Sequence, residues 1–295
     1  MKNILVTGAN GQLGNEIREL APHFQAYQFH FTDYQELDIT DAAAVKSEFD
    51  RLQPTFVINC AAYTAVDKAE EEVEKSYAIN AAAVLTLADC CFQFNSQLIH
   101  VSSDYVYHNG LNRPLLETDP TLPKGVYAAS KLRGDMGAMA ANRNTIIIRT
   151  SWVYSSFGNN FLKTMLRLGR ERDQLGIVYD QIGVPTSAKD IAHVILQILQ
   201  KVASEGPKFG GVYNFAPQGV TCWYDYAKSI FELEDITCQV SSIPSKAYPT
   251  PAQRPTYSVL DCTKIKETFD IDIPYWKDSV KDCLQVLKQQ AVVVN

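Results

Sequence analysis

Residues 2–20 read KNILVTGANGQLGNEIREL, and this stretch decides the fold of the N-terminal half. An apolar run, Ile4-Leu5-Val6, leads into Gly8, Gly11 and Gly14, and an amphipathic segment follows. A tight glycine turn between a strand and a helix lets a pyrophosphate approach the backbone at the positive end of the helix dipole. The stretch therefore predicts a dinucleotide site in which these three glycines bind the cofactor.

Further cofactor contacts are expected where the next two strands end. Asp33 follows the predicted strand Tyr27–Thr32, where it can meet the adenosine ribose. A carboxylate accepts hydrogen bonds from ribose hydroxyls but repels a 2′-phosphate, and no arginine is near Asp33 in the sequence. These features favour NADH, or a site accepting both cofactors, over strict use of NADPH. Asp38-Ile39 is predicted to meet the adenine, although Asp38 could instead cap a helix. Small residues in Ala61-Ala62-Tyr63-Thr64 would let the backbone pass close to the cofactor.

A second motif, Tyr127-Ala128-Ala129-Ser130-Lys131, indicates the chemistry. Residues four apart lie on one face of a helix, so Lys131 can stand beside Tyr127. Hydride transfer to a ketone leaves an alkoxide that needs a proton, and a nearby ammonium favours the phenolate and lowers the pKa of a tyrosine. Ser102-Ser103, at the end of the fourth predicted strand, offers a hydroxyl to orient the carbonyl. Tyr127, Lys131 and Ser103 are therefore the predicted catalytic set of a nicotinamide-dependent enzyme.

Strand-like and helix-like segments alternate through the first half, which predicts an α/β fold with a doubly wound parallel sheet of the Rossmann type. Residues 1–155 are predicted to form the dinucleotide-binding domain, to which segments near 176–215 return. Residues 156–295 are predicted to form mainly a smaller C-terminal substrate-binding lobe. Four prolines within 241–255 predict a loop there.

Composition narrows the class of protein. The 295 residues carry a formal net charge of −6 and no basic block, which argues against nucleic acid as a partner. No stretch has the roughly 18 apolar residues of a membrane span, and no signal-peptide pattern is present. The seven cysteines form no Cys-x-x-Cys motif, so we expect reduced thiols and a cytoplasmic protein. The histidines show no metal-ligand spacing, so no metal ligands are predicted from the residues alone.

These motifs resemble those of the extended short-chain dehydrogenase/reductases. The resemblance is closer still to members that reduce the C4 ketone of dTDP-4-dehydro-L-rhamnose to give dTDP-L-rhamnose with NADH or NADPH. The resembling segments are Thr7–Gly14, Leu37–Thr40, Ala61–Glu70, Ser102–Tyr107, Tyr127–Gly134, Arg149–Tyr154, Asn159–Leu168 and Asp180–Thr186.

The resemblance implies a role for each matching residue. Tyr127 would donate the proton with Lys131 as its partner, and Ser103 stands where the family usually has threonine. Ser103, Asp104 and Trp152 would contact the substrate, with the indole stacking on the deoxysugar; the alternative for Trp152 is core packing. The cofactor-lining positions implied are Gly11, Gln12, Leu13, Asp38, Ile39, Ala62, Tyr63, Thr64 and Val101.

The resemblance also bears on metal binding and on dimer formation. Some members of the family bind Mg²⁺ at a dimer contact through glutamates. Glu16 matches one such position, whereas Lys189-Asp190 does not clearly supply the second. Magnesium and a homodimer are therefore left open.

Two other functions fit the same residues. One is a different nucleotide-sugar reductase, an epimerase or a dehydratase of the same fold, although a dehydratase usually needs two carboxylates where this chain offers only Asp104. The other is a non-catalytic regulatory subunit that binds a dinucleotide, against which the intact Tyr127 and Lys131 argue.

Overall fold

The strands and helices alternate as the sequence predicts. In the computed structural model, which describes residues 1–293, the strands are β1 (Lys2–Thr7), β2 (Tyr27–Thr32), β3 (Phe56–Asn59), β4 (Gln97–Ser103), β5 (Ile146–Thr150), β6 (Val153–Tyr154), β7 (Gln174–Val178), β8 (Ile182–Gly183), β9 (Thr186–Ser187), β10 (Gly211–Asn214), β11 (Thr221–Cys222) and β12 (Gln239–Ile243). The α-helices are α1 (Gln12–Leu20), α2 (Ala42–Leu52), α3 (Val73–Tyr77), α4 (Ala83–Gln93), α5 (Val126–Ala141), α6 (Phe161–Glu171), α7 (Ala188–Glu205), α8 (Trp223–Leu233), α9 (Thr263–Phe269) and α10 (Trp276–Val293).

Six of these strands form one parallel sheet in the order β2–β1–β3–β4–β5–β10. The chain leaves β1 towards β2 on one side and continues from β3 on the other, so the strand order reverses between β1 and β3. Ligands of doubly wound sheets bind in the crevice that such a reversal opens at the carboxyl ends of the strands. The predicted α/β class with a parallel sheet is confirmed, and the segments after β1, β3, β4 and β5 meet at one edge.

Helices cover both faces of this sheet. Apolar side chains of α1 and α7 pack with β1, β3, β4 and β5 in one buried cluster, and those of α2, α4 and α5 pack on the opposite face in another. A third buried cluster joins α6, α8 and α10 with β7 and forms the core of a smaller lobe. Residues Ile265 and Phe269 of α9 belong to the sheet's core, as does α7. The boundary at residue 155 stays a prediction.

The structure corrects the prediction for segment 241–255. This segment is not all loop, because residues 241–243 complete β12, which pairs in parallel with β7. That pairing joins strands more than sixty residues apart, so the local prolines gave no sign of it. A π-helical turn, Ala78–Ala82, separates α3 from α4. No helix within residues 1–293 combines the length and apolar character needed to cross a bilayer.

Candidate active site

The glycine turn after β1 is built for close approach. Gly8 has a φ of +66°, and a Cβ there would lie 2.5 Å from the backbone nitrogen of Ala61. A Cβ on Gly14 would lie 2.5 Å from Cα of Ala9, so α1 packs directly against the turn. Gly11 is the N-cap of α1 and has no side chain to accept from the N–H groups of the first turn. Those groups point out of an otherwise uncapped helix, and this arrangement fits the pyrophosphate of a dinucleotide.

The two other residues predicted in this turn have different surroundings. The Gln12 side chain accepts a hydrogen bond from Nδ2 of Asn160 at 2.9 Å, which ties the turn to the start of α6. Leu13 is buried in the core beneath the sheet. Gln12 thus lies at the cleft edge, whereas only the backbone of Leu13 can face a ligand.

Asp33 lies beside the glycine turn. Its carboxylate accepts the Asn10 N–H at 2.8 Å and the Tyr34 N–H at 2.8 Å. An arginine that is distant in the sequence comes close to this turn. Arg18 of α1 lies over the ring of Phe31 at 5.0 Å, and its guanidinium is 3.4 Å from Oδ1 of Asn10. A guanidinium at this position could pair with a 2′-phosphate.

The segments after β2 and β3 show how the remaining predicted cofactor residues are placed. Asp38 accepts hydrogen bonds from the N–H and the hydroxyl of Thr40 at 2.9 and 2.7 Å, and the N-cap of α2 is Asp41. Asp38 is therefore not a helix cap. Ile39 is buried beside it.

After β3, Ala62 is half-buried, Tyr63 is buried and Thr64 is exposed. The Tyr63 backbone is held by Asn80, whose Oδ1 accepts the Tyr63 N–H at 2.9 Å. The same Asn80 donates from Nδ2 to the Tyr63 carbonyl and to the Ser130 hydroxyl, each at 3.1 Å. This loop is therefore fastened to the helix that carries the Tyr-Lys motif.

Tyr127, Lys131 and Ser103 come together at the carboxyl edge of the sheet. Lys131 is 2% exposed, and its ammonium donates to the carbonyl oxygen of Val101 at 2.8 Å. The ring of Tyr127 packs edge-on against Tyr105 with centroids 5.6 Å apart. Ser103 ends β4, accepts the Tyr105 N–H at 3.2 Å and also interacts with Tyr127. The structure thus places the Tyr127 phenol beside the Ser103 hydroxyl, with the buried Lys131 ammonium one helical turn along α5.

Burial controls the protonation of this pair. It raises the pKa of Tyr127 to about 12, with the Ser103 hydroxyl opposing and the Asp104 and Asp135 carboxylates adding to the rise. It lowers the pKa of Lys131 to about 8, against the attraction of Asp135. We expected the ammonium to lower the pKa of the tyrosine, and in this structure desolvation outweighs any such effect. Tyr127 consequently keeps its proton at neutral pH, as a proton donor must.

Asp104 is a buried carboxyl next to this set. Ser103 donates to its Oδ1 at 3.1 Å, and burial raises its pKa to about 7 although the hydroxyls of Ser258 and Ser103 lower it. No sequence motif signalled Ser258. A Cβ on Gly183 would meet both the Ser258 hydroxyl and the ring of Trp152, so Asp104 and Trp152 both lie near Ser258.

Trp152 follows β5 with a φ of +46°, a strained value for a residue with a Cβ. Its indole stacks on Trp223 of α8 at 3.6 Å and 11°. Trp223 donates from Nε1 to Gln181 at 3.1 Å. One face of the Trp152 ring is thus occupied by protein, so a sugar can cover only what remains. The stacking of Trp223 on Trp152 could not be predicted from the sequence.

A second contact across the cleft was also missed. Arg254, in the proline-rich segment, forms an ion pair with Asp67 at 2.7 Å, and Asp67 also accepts the Ala252 N–H. Asp67 follows the loop after β3, so this pair fastens the smaller lobe to the sheet domain. No motif signalled it, since 187 residues separate the partners.

The residues at the matched magnesium positions are already engaged. The Glu16 carboxylate accepts the Ser155 hydroxyl at 2.6 Å, and Asp190 accepts that of Ser279 at 2.6 Å. Lys189 lies close enough to lower the pKa of both carboxyls, although burial raises the pKa of each overall. Within residues 1–293 no three His, Cys, Asp or Glu side chains group as a metal ion requires. This donor set does not fit Mg²⁺ in a single chain.

Comparison with known proteins gives a consistent result. The family described as RmlD substrate binding domain matches residues 1–289. The chain is 41% identical over 290 residues to the dTDP-4-dehydrorhamnose reductase of Aggregatibacter actinomycetemcomitans, covering 96% of this chain and 98% of that protein.

Solved structures agree with the sequence relatives. A dTDP-4-dehydrorhamnose reductase from Clostridium acetobutylicum ATCC 824 superposes with a TM-score of 0.91 at 38% identity, over 97% of this chain and 99% of that one. The corresponding protein of Bacillus anthracis str. Ames, in complex with NADP, gives a TM-score of 0.91 at 32% identity, over 96% and 99%.

Proposed function

The chain belongs to the RmlD substrate binding domain family, and from this premise we propose that it reduces the C4 ketone of dTDP-4-dehydro-L-rhamnose to dTDP-L-rhamnose with NADH or NADPH. The observation that carries the proposal is the meeting of Tyr127, Lys131 and Ser103 beside an uncapped glycine turn. A dinucleotide on that turn would bring its nicotinamide to the same edge of the sheet.

A reduced nicotinamide, when bound at this edge of the sheet, would supply the hydride. Tyr127 donates its phenolic proton to the carbonyl oxygen as negative charge develops there. Because burial raises its pKa to about 12, Tyr127 holds its proton at neutral pH until the substrate oxygen gains charge, and the ammonium of Lys131 would ease the proton's departure. Ser103 would orient the carbonyl by turning its hydroxyl, which donates to Asp104 in this structure, towards the same oxygen.

Lys131 stabilises the phenolate that Tyr127 becomes. Its ammonium is fixed by the Val101 carbonyl at 2.8 Å, and in the complex it would also hold the nicotinamide ribose. A fixed charge in a site without water stabilises the developing phenolate and need not reorient during the reaction, which makes its electrostatic contribution to catalysis large. With a pKa of about 8, Lys131 is charged at neutral pH and loses its charge in mild alkali.

The substrate residues are proposed on weaker contacts. Asp104 is hydrogen-bonded to Ser103, and Trp152 follows β5 at the carboxyl edge of the sheet with one face of its ring stacked on Trp223. The remaining proposed cofactor residues are Gly8, Gly11, Gln12, Leu13, Gly14, Asp33, Asp38, Ile39, Ala62, Tyr63, Thr64 and Val101. A cytoplasmic location fits seven free cysteines, and the homodimer is carried by the family resemblance alone.

The direct test is turnover by the purified protein. dTDP-4-dehydro-L-rhamnose is supplied with NADH or NADPH, oxidation of the cofactor is followed by absorbance, and the product is identified by mass spectrometry. We expect dTDP-L-rhamnose, formed in proportion to the cofactor oxidised. Cofactor binding without turnover would favour a regulatory subunit, and conversion of dTDP-glucose with NAD would favour a dehydratase.

A further inference from the structure

The face of α5 that carries Tyr127 and Lys131 also carries a buried carboxyl group one turn further along. Asp135 lies four residues beyond Lys131, on the same helix face, and both are 2% exposed. Arg149 of β5 donates from Nε to Oδ2 of Asp135 at 3.0 Å. The other oxygen, Oδ1, makes no hydrogen bond among the residues the structure describes. A buried carboxylate oxygen without a partner needs a reason, because leaving it unpaired costs free energy.

The protonation state of His100, which is buried beside Lys131 and Asp135, follows from its hydrogen bonds. The Ala61 N–H and the Thr7 hydroxyl both donate to Oδ1 of Asn59, at 3.1 and 2.7 Å, which fixes the orientation of the amide. Its Nδ2 therefore faces Nδ1 of His100 at 3.0 Å as a donor, and Nδ1 must accept. Burial and the charge of Lys131 hold the pKa of His100 well below its usual value, so the ring is neutral and carries its proton on Nε2.

That Nε2–H lies between the two charged groups of the helix. It is 3.5 Å from Nζ of Lys131 and 4.0 Å from Oδ1 of Asp135. A protonated Nε2 cannot accept a hydrogen bond from the ammonium, and 4.0 Å is too long for one to the carboxylate. His100 thus offers Lys131 no counter-charge.

The other groups around Lys131 do not supply that charge either. Tyr127 precedes it on α5, and Arg149, behind Asp135, is a cation bonded to the Tyr107 hydroxyl at 2.8 Å. Asp104, beyond Tyr127, has a pKa near 7 and is only partly ionised at neutral pH. Asp135 is the carboxyl that attracts Lys131. Burial raises the pKa of Asp135, and the Arg149 guanidinium and the Ser102 hydroxyl oppose that rise and favour its ionised form.

We propose that Asp135 is a positioning residue that keeps Lys131 in its ammonium form inside the buried site, with the Arg149 guanidinium holding the carboxylate in place. This inference rests on the proposed function, in which Lys131 acts with Tyr127. The pKa of Lys131 supports it, since burial lowers that value to about 8 and Asp135 opposes the fall. Without the carboxylate, desolvation acts alone and Lys131 loses its proton at a lower pH.

The test is the pH dependence of kcat/KM for the proposed reduction, which reports groups of the free enzyme. In Asp135→Asn the alkaline limb, which belongs to the Tyr127–Lys131 pair, should move down by about one pH unit or more, the usual size of a close opposite charge. Dinucleotide affinity at neutral pH should weaken in parallel. Asp50→Asn removes an exposed carboxylate of α2 and should leave the profile unchanged.

A second variant separates an effect on the pKa of Lys131 from an effect on the stability of the fold. Asp135→Asn leaves the buried Arg149 without its partner and could lower the melting temperature for that reason alone. Asp135→Asn/Arg149→Met removes both charges, and the alkaline limb should still be shifted, because Lys131 still lacks its counter-charge. An unshifted limb in either folded variant, with kcat/KM reduced equally at every pH, overturns the proposal. An inactive wild-type protein would instead overturn the proposed function.

Discussion

Replacing Tyr127 with phenylalanine isolates the proposed proton donor, because it removes one hydroxyl and leaves the ring. The ring packs edge-on against Tyr105 at 5.6 Å, and a phenyl group preserves this contact. The interaction with the Ser103 hydroxyl is lost, at a net cost of about 1 kcal/mol of stability. Lys131 keeps its bond to the Val101 carbonyl, so the cofactor should still bind.

The effect on turnover should be far larger. General acid catalysis contributes roughly 10²- to 10⁴-fold, or about 3–5 kcal/mol of activation free energy. We expect kcat of Tyr127→Phe to fall within that range while the Kd for dinucleotide, measured by fluorescence titration, stays within about twofold, a difference under 0.5 kcal/mol. With proton transfer slowed, chemistry should limit turnover, and a deuterated reduced cofactor should reveal an isotope effect on kcat.

Tyr105→Phe is the matched control, since it removes a phenol hydroxyl from the ring that packs on Tyr127. It should retain most of the activity and a similar melting temperature. If Tyr127→Phe kept more than about a third of the wild-type kcat, where a general acid predicts a loss of at least 10²-fold, Tyr127 would not be the proton donor. Equal losses in the two variants would point to packing of the ring pair.

Three further outcomes are expected. Arg18→Ala should lower kcat/KM for NADPH more than for NADH. Asp33→Ala should lower kcat/KM for NADH more than for NADPH. Equal changes for both cofactors would place these side chains away from the 2′ position. Trp152→Ala should raise KM for the sugar nucleotide about tenfold or more, equivalent to 1.4 kcal/mol, with unchanged cofactor affinity; a large drop in melting temperature with unchanged KM would instead show a packing residue. Because the pKa of Asp104 is raised from 3.8 to about 7 in the folded protein, its stabilising effect is complete below pH 4 and is lost as pH rises through 7. Asp104→Asn should therefore remove part of the loss of stability in that window, as chemical denaturation at several pH values would show.

Local patterns predicted the parts of the fold that local chemistry determines. The glycine spacing gave the turn between β1 and α1, because only residues without a Cβ permit the contact of Gly8 with the Ala61 backbone. Helical spacing placed Tyr127 and Lys131 together, because residues four apart share a helix face. In both cases the decisive interaction lies within one short segment or requires one residue type.

Contacts between distant segments stayed hidden. Arg18 reaches Phe31 because α1 packs beside β2, although thirteen positions separate them in the sequence. Trp152 stacks on Trp223 of another lobe, and the strand at Gln239–Ile243 exists only through its pairing with β7. Such contacts depend on how completed elements pack, and neither spacing nor composition encodes that packing in a single sequence. The expectation of a lowered pKa for Tyr127 was wrong for the same reason, since burial is a property of the assembled site.

Asn80 links the two halves of the proposed site. It holds the loop after β3 through both polar groups of the Tyr63 backbone, and it bonds to Ser130, the neighbour of Lys131 on α5. Gly134 lies where a Cβ would collide with the Asn80 carbonyl, so the helix can approach this support closely. The loop proposed to line the cofactor and the helix that carries Tyr127 are therefore fastened to each other by one buried side chain. In the proposed reaction hydride and proton go to adjacent atoms of one carbonyl, so a fixed separation between the two donors would favour it.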